Sequence, residues 1–241
     1  MQAVLAAGID VNSAGEDGGT ILMLAAQHCD VRRVAALLAA GANPNAVNTV
    51  GGTALMLAAE RGDVDRVDAL LAAGADPKAV DTDGGTALMS AAEHGDVRRV
   101  DALLAAGANP NAVNADGGTA LMSAAEHGDV RRVAVLLAAR ANPNAADADG
   151  WTALMLAAGN SGDVRRVSAL LAAGANVNAT RDDGTTALML AAECGDVRRV
   201  SALVAAGANV DAPADDGPTS LMSAAQLGDG QRVASGSRRK R

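Results

Sequence analysis

The sequence predicts an all-α repeat fold, a solenoid of stacked helix-turn-helix units with β-hairpin-like connecting turns. A Thr-Ala-Leu-Met string, slightly varied at the ends, recurs at spacings of 33 residues with one exception of 34. A fixed period of this length is typical of solenoids. The composition agrees, because 49% of the residues are hydrophobic although the chain has no Phe, no Tyr and one Trp. Small apolar side chains suit closely packed helices, whereas a compact core normally contains many aromatic rings.

The threonine of the recurring string marks the start of the first helix in each repeat. It falls at Thr20, Thr53, Thr86, Thr119, Thr152, Thr186 and Thr219. In the repeat of residues 83–115, a tight turn precedes Thr86, whose side chain is expected to cap the helix. Gly95 is expected to end this helix in the left-handed conformation that glycine permits. The unit therefore begins with a turn and one short helix.

A second helix follows in the same repeat. Asp96 precedes it and suits its N-terminus, both as a capping side chain and as a negative charge near the positive end of the helix dipole. Val97, Val100 and Leu103 recur at helical spacing, which predicts one buried face. Gly107 is expected to end the helix. Neither helix is long enough to be stable alone, so each must pack against neighbouring repeats.

This unit resembles the ankyrin repeat along essentially the whole chain. The strings Asp-Gly-Gly-Thr-Ala-Leu-Met-Ser-Ala-Ala-Glu-His-Gly at 83–95 and Leu-Leu-Ala-Ala-Gly-Ala-Asn at 103–109 carry the resemblance. Alanine and methionine stand where the family usually has proline and histidine. We interpret the methionines as an apolar ladder that fills the gaps between repeats, since methionine is flexible and adaptable. The ladder consists of Met23, Met56, Met89, Met122, Met155, Met189 and Met222.

Two positions break the glycine pattern at the helix ends. Cys29 stands where Gly62 and Gly95 end the first helix, and Arg140 stands where Gly107 ends the second. A non-glycine residue in the left-handed conformation costs on the order of 1 kcal/mol. Both positions are therefore expected to be strained joints.

We expect one solenoid domain over residues 1–234 and a basic, disordered tail over 235–241. Within the domain, residues 1–15 form a partial repeat, and seven repeats follow, the last of them incomplete. The residue that lengthens one spacing falls in a turn within 157–163, where insertions are tolerated. Neither end supplies an obvious polar capping repeat, and the sequence leaves open whether the chain is a fragment or domain of a larger protein.

No catalytic constellation is found in the sequence. Lys78 is followed by Ala79, which excludes a P-loop there, and the three histidines lie in separate repeats rather than four residues apart. Cys29 and Cys194 form no Cys-X-X-Cys motif and give no disulfide framework. We therefore expect a non-enzymatic protein without a metal site or cofactor.

The resemblance implies that partner-binding residues lie on the turn tips and on the concave side lined by the first helices. The candidates are Asp83, Asp116, Asp149 and Asp183 at the tips, and Glu60, Arg61, Glu93, His94, Glu126 and His127 on the first helices. These columns predict an acidic strip, which favours a protein partner with a basic surface and speeds its approach. The alternative is that the acidic residues only keep an alanine-rich stack soluble.

Trp151 is a further candidate for the binding surface. It is the single tryptophan of the chain, in a slot occupied by glycine in the three preceding repeats. Tryptophan is a favoured anchor in protein interfaces. The alternative is that tryptophan is an ordinary choice at this slot in the ankyrin repeat family.

Charge limits the classes of partner. The formal net charge is −8, although the last four residues are all basic. An acidic body argues against a nucleic acid partner, and no apolar stretch is long enough to span a membrane. Paired arginines on the second helices, such as Arg98 and Arg99, are expected on the outer side, where they pair with nearby acidic residues.

The sequence favours a monomeric scaffold or adaptor for protein–protein interaction, placed in the cytoplasm because no export signal is found. A nuclear-localisation patch is the alternative for the basic residues Arg238, Arg239, Lys240 and Arg241. Two other functions stay open. One is a sensor of a small ligand such as a phosphorylated oligonucleotide, for which the concave side offers Arg61, Trp151 and Arg181. The other is the regulatory fragment of a larger enzyme.

Overall fold

The computed structural model describes residues 10–127, 129–159 and 163–213. Internal contacts divide the chain into two compact units, unit 1 (Met1–Ala141) and unit 2 (Asn142–Arg241). The predicted tail 235–241, Met222 and the incomplete last repeat lie outside the described residues, as does most of the partial first repeat.

Short helices in pairs make up both units. Unit 1 contains α1 (Ile21–His28), α2 (Val31–Ala39), α3 (Ala54–Arg61), α4 (Val64–Ala72), α5 (Ala87–His94), α6 (Val97–Ala105), α7 (Ala120–His127) and α8 (Val130–Ala138). Unit 2 contains α9 (Ala153–Gly159), α10 (Val164–Ala172), α11 (Ala187–Glu193) and α12 (Val197–Ala205). Within each unit, the first helices of consecutive pairs pack on one another, and so do the second helices. The predicted all-α stack of helix pairs is confirmed.

A buried threonine begins the first helix of each repeat. The hydroxyl of Thr86 accepts a hydrogen bond from the backbone N–H of Met89 at 3.2 Å. This bond satisfies one of the N–H groups that lack a partner within the helix. Equivalent bonds are made by Thr20, Thr53, Thr119, Thr152 and Thr186. The capping role predicted for the threonine column is confirmed in all these repeats.

The turn before each first helix is hairpin-like, as predicted. In the repeat of residues 83–115, Val80 and Thr86 face each other in an isolated antiparallel bridge. The tips of consecutive turns are also joined, because the carbonyl oxygen of Asp83 accepts the N–H of Ala115 at 2.7 Å. Residues one repeat apart therefore lie side by side at the tips of unit 1.

The second helix begins and ends as the sequence predicts. The Asp96 carboxylate accepts hydrogen bonds from the backbone N–H groups of Arg98 at 3.0 Å and Arg99 at 3.2 Å. At the other end, Gly107 has a φ of +93°, and the next residue, Ala108, donates its N–H back to Leu103 at 3.0 Å. Glycine is favoured here because the left-handed conformation strains other residues.

The core runs between the helix pairs and consists of small and aliphatic side chains. Leu88 is 1% exposed, and Val100 and Leu103 are 0% exposed. The described members of the methionine ladder are all buried, namely Met23, Met56, Met89, Met122, Met155 and Met189. Their packing role is confirmed.

The first helix ends in extended backbone at Gly95, so the left-handed conformation predicted for Gly95 is wrong, whereas Gly195, in the same column, does adopt it with a φ of +67°. Gly95 has a φ of −81° and a ψ of 168°, which is extended backbone. Glycine is favoured there by close approach instead, because a Cβ would clash with the carbonyl oxygen of Ala91. Cys29, in the same column, has a φ of −107°. The left-handed strain predicted for Cys29 is therefore also wrong.

Arg140, by contrast, adopts the strained conformation that the sequence predicts. Its φ is +66°, and it is the one non-glycine residue with positive φ in the described part of the chain. Glycine occupies the equivalent position in the neighbouring repeats, as at Gly107. The backbone of Arg140 is therefore strained, because a residue with a side chain occupies a conformation that favours glycine.

Replacing Arg140 with glycine is expected to raise the free energy of unfolding by about 1 kcal/mol, because the left-handed strain is removed. For a chain of this size, that gain corresponds to a rise in Tm of roughly 2–4 °C, measured by calorimetry. Arg140→Ala is the control, since alanine removes the side chain but keeps the strain. An equal rise in both variants would place the effect in the arginine side chain rather than in the backbone.

Arg99, the second arginine of its pair, corrects another prediction, because it is not on the outer side, whereas Arg33, the second arginine of the first pair, is exposed. Arg99 is 9% exposed, and its Nη1 donates to the carbonyl oxygens of Ala59 at 2.6 Å and Glu60 at 3.1 Å. These carbonyls belong to the last turn of α3 in the preceding repeat, where four carbonyls lack a partner within the helix. The first arginine behaves as predicted: Arg98 is exposed and pairs with Asp96 at 2.9 Å.

The same contact recurs along both units. Arg132 donates to Ala92 at 2.6 Å and to Glu93 at 2.8 Å, and in unit 2 Arg199 donates to the carbonyl of Ala158. A cation at the C-terminal end of a helix also interacts favourably with the helix dipole. Burial lowers the pKa of Arg99, partly offset by the charge of Asp96. Arginine nevertheless stays protonated in proteins, so these contacts persist across physiological pH.

Candidate functional site

Three glutamates occupy equivalent positions on consecutive first helices of unit 1. Glu60, Glu93 and Glu126 lie in the last turn of α3, α5 and α7. Their side chains are 34%, 40% and 39% exposed. Because α3 packs on α5 and α5 on α7, the three carboxylates form one row, which we call the glutamate row.

The turn tips of unit 1 add further carboxylates. Asp83 and Asp116 are both exposed. Their turns are adjacent, since the carbonyl oxygen of Asp83 accepts the N–H of Ala115, the residue before Asp116, at 2.7 Å. The structure therefore places the two predicted tip residues of unit 1 on neighbouring turns.

A basic side chain follows each glutamate of the row. The Arg61 Nε lies 3.0 Å from the Glu60 carboxylate. His94 lies 3.4 Å from Glu93, and its side chain is 52% exposed. His127 lies 3.8 Å from Glu126 and is 51% exposed. Arg61 therefore partly offsets the charge of the row, the two histidines do so only when protonated, and exposed pairs of this kind contribute little to stability.

Trp151 and Arg181 meet on consecutive turns of unit 2. The guanidinium carbon of Arg181 lies 4.4 Å from the centroid of the half-buried Trp151 ring. This distance is within the range of a cation–π interaction. The Arg181 Nη1 also lies 3.0 Å from the Asp183 carboxylate, and its Nε donates to the carbonyl oxygen of Asp149 at 3.4 Å. Four candidate residues of unit 2 thus form one cluster.

The cluster depends on a departure from the repeat pattern. Arg181 occupies the column in which the Asp147 carboxylate accepts the backbone N–H groups of Asp149 at 3.0 Å and Trp151 at 2.8 Å. In the turn of Arg181, the Asp183 carboxylate takes over this role and accepts the N–H of Thr185 at 2.9 Å. The hydroxyl of Thr185, followed by its N–H and the charge of Arg181, holds the pKa of Asp183 below its ordinary value.

A row of exposed valines was missed by the sequence-based argument. Val47, Val80 and Val113 are 57–58% exposed and occupy one column of unit 1. Each forms the bridge to the capping threonine of its own turn. The 33-residue spacing and the apolar residue in an otherwise polar turn could have indicated this valine row. A repeated exposed apolar residue is a candidate for burial at an interaction surface.

Among the described residues, no three His, Cys, Asp or Glu side chains come together in a way that could hold a metal ion. The helices of the described ranges are each too short and too polar to cross a bilayer. Cys29 and Cys194 are free thiols.

Comparisons with known proteins agree with this geometry. The family model described as "Ankyrin repeats (3 copies)" matches residues 1–81, 22–114, 88–181 and 155–234. Among solved structures, the ankyrin repeat domain of Bcl-3, described as a unique member of the IkappaB protein family, is similar with a TM-score of 0.72 and 33% sequence identity. That alignment covers 86% of this chain and 95% of the Bcl-3 domain. No curated protein matches the sequence.

Proposed function

Because this chain belongs to the ankyrin repeat family, we propose that it is a non-enzymatic scaffold or adaptor that binds a basic protein through its turn tips and first helices. Ankyrin repeats are in general modules of protein–protein interaction. The observation that carries the proposal is the glutamate row of unit 1, in which three carboxylates lie in register on packed helices. A row of one sign attracts an oppositely charged surface and fixes its register.

The valine row indicates that the partner surface contains apolar side chains in addition to basic ones. Val80 is 57% exposed, and burying an exposed apolar side chain stabilises a complex by about 25 cal/mol per Å² removed from water. Charged pairs at the rim of an interface mainly accelerate association, whereas desolvated apolar groups contribute to affinity. The partner surface that fits unit 1 therefore carries apolar side chains as well as lysine or arginine.

The Trp151 cluster supports a second contact point, in unit 2. The ring is ordered by Arg181, which is itself held by Asp183 at 3.0 Å. An aromatic side chain that is fixed before binding loses little conformational entropy on binding. The same contacts weigh against a phosphorylated oligonucleotide, because Arg181 and Arg61 are already paired with carboxylates.

The proposal is tested by reversing the charge of the glutamate row. The variant Glu60→Lys/Glu93→Lys/Glu126→Lys is expected to lose the partners that the unchanged chain captures from cell extract. Loss is expected because each lysine repels a basic surface and like charges across an interface cost several kcal/mol. Quantitative mass spectrometry of the captured proteins measures the loss.

A matched variant controls for net charge. Asp65→Lys/Asp68→Lys/Asp101→Lys makes the same charge change on exposed residues of α4 and α6. This variant is expected to keep the partners of the unchanged chain. If all three proteins capture the same partners, the glutamate row is not the binding surface and the acidic residues serve solubility alone.

A further inference from the structure

An asparagine side chain clamps consecutive repeats together at the loop after each second helix. The Asn45 Oδ1 accepts the backbone N–H of Asp76 at 2.7 Å, and its Nδ2 donates to the carbonyl oxygen of Gly74 at 2.9 Å. One carboxamide thus uses its acceptor and its donor to join two repeats. Asn12, Asn144 and Asn178 make the same pair of bonds. We call each such pair of bonds a rung.

One rung of unit 1 is interrupted, because Lys78 stands in the asparagine column. By the register of the other rungs, its targets are the carbonyl oxygen of Gly107 and the N–H of Asn109. Neither group forms a hydrogen bond with another described residue, and both residues are exposed to water. A lysine ammonium has three donors and no acceptor. Lys78 can therefore serve the carbonyl of Gly107 but not the N–H of Asn109.

A cavity of about 170 Å³ lies at the interrupted rung. Lys78 and Asn109 line it together with the apolar side chains of Val80, Leu88 and Ala108. A cavity of this size holds several water molecules or a small organic group. The residues that line the cavity therefore include one cationic side chain, three apolar side chains, and Asn109, whose N–H the register assigns to the missing asparagine.

We propose that this cavity is a binding site for a short aliphatic carboxylate. The carboxylate accepts the N–H of Asn109 and the ammonium of Lys78, and so supplies the acceptor that the missing asparagine would have supplied. Hydrogen bonds between charged partners are about twice as strong as neutral ones. The hydrocarbon tail lies against Val80, which is 57% exposed, and removes part of this apolar surface from water.

A nearby carboxylate is expected to weaken the binding of an anionic ligand at this cavity, because like charges repel. The Asp76 Oδ1 accepts the backbone N–H of Lys78 at 2.9 Å, so its negative charge is close to the site. The residue that the register of the rungs pairs with Lys78 is the neutral Asn109, whereas Asp76 takes that place in the preceding, intact rung. The interrupted rung therefore has a cation where the other rungs have an amide, and a neutral neighbour across from it.

The test uses butyrate as the carboxylate and butyramide as its neutral match, each titrated into the isotope-labelled full chain and followed by amide NMR. We expect the N–H signal of Asn109 to shift on saturation with a Kd of roughly 1–10 mM for butyrate, the range for so small a ligand. Butyramide is expected to bind at least about fivefold more weakly, since it lacks the charge.

Two variants locate the effect. Lys78→Asn rebuilds the rung and is expected to weaken butyrate binding at Asn109 by about tenfold or more. Lys78→Met removes the charge without rebuilding the rung and is expected to remove the preference for butyrate over butyramide. The proposal is overturned if Asn109 shows no saturable shift, if Lys78→Asn binds butyrate as well as the unchanged chain, or if butyramide binds as tightly as butyrate.

Discussion

Replacing Arg99 with alanine is expected to lower the free energy of unfolding by about 3 kcal/mol. The guanidinium is buried and donates to three carbonyl oxygens, those of Ala59 at 2.6 Å, Glu60 at 3.1 Å and His94 at 3.3 Å. The variant leaves these groups without their donor and leaves a cavity between two repeats. Urea denaturation followed by circular dichroism measures the change.

The adjacent residue provides the control for this prediction. Arg98 has the same side chain, but it is 69% exposed and pairs only with Asp96 in its own helix end. Arg98→Ala is expected to change the free energy of unfolding by less than about 0.5 kcal/mol, as is usual for exposed ion pairs. Equal destabilisation in the two variants would show that the contact of Arg99 with the preceding repeat does not account for the loss of stability.

The second large effect is expected at the turn tips. Gly51 has a φ of +75°, and a Cβ placed on it would lie 2.9 Å from the Cα of Asp81 in the next repeat. Gly51→Ala therefore combines left-handed strain with a backbone clash that no side-chain rotation relieves. We expect a loss of about 3 kcal/mol in the free energy of unfolding, measured by the same denaturation experiment.

Gly74 isolates the contribution of the clash. Its φ is +86°, similar to that of Gly51, but a Cβ placed on it meets nothing within 4 Å. Gly74→Ala is expected to cost only the strain, about 1 kcal/mol. If Gly74→Ala is as destabilising as Gly51→Ala, close packing between turn tips does not contribute to the stability of unit 1.

Most of the fold could be predicted from the sequence because its determinants are local. Thr86 and Asp96 cap helices in any context, and the period of 33 residues places equivalent residues next to one another. Arg140 was predicted correctly for the same reason, since the left-handed conformation belongs to the helix end itself.

The failures concern contacts that no local sequence signal determines. Arg98 and Arg99 are adjacent and chemically identical, so the sequence does not distinguish their roles. Only the packing of one repeat on the next determines that Arg99, rather than Arg98, contacts the carbonyls of α3. Gly95 was assigned to the left-handed region because glycine is common there, whereas its contact with the Ala91 carbonyl requires the three-dimensional path of the chain. The pairing of Trp151 with Arg181 also spans two turns. The binding role of the predicted surface residues stays a prediction, since geometry alone identifies no partner.

The arginine contact between repeats gives the stack a polarity. Each bond runs from a second helix back to the first helix of the repeat before it, as from Arg99 to Ala59. Losing the C-terminal neighbour therefore uncaps a helix, whereas losing the N-terminal neighbour only releases an arginine to water. When unfolding starts from the C-terminal side of unit 1, each repeat that unfolds leaves the preceding repeat with an uncapped helix. The free-energy cost of unfolding repeat by repeat therefore differs between the C-terminal and the N-terminal direction.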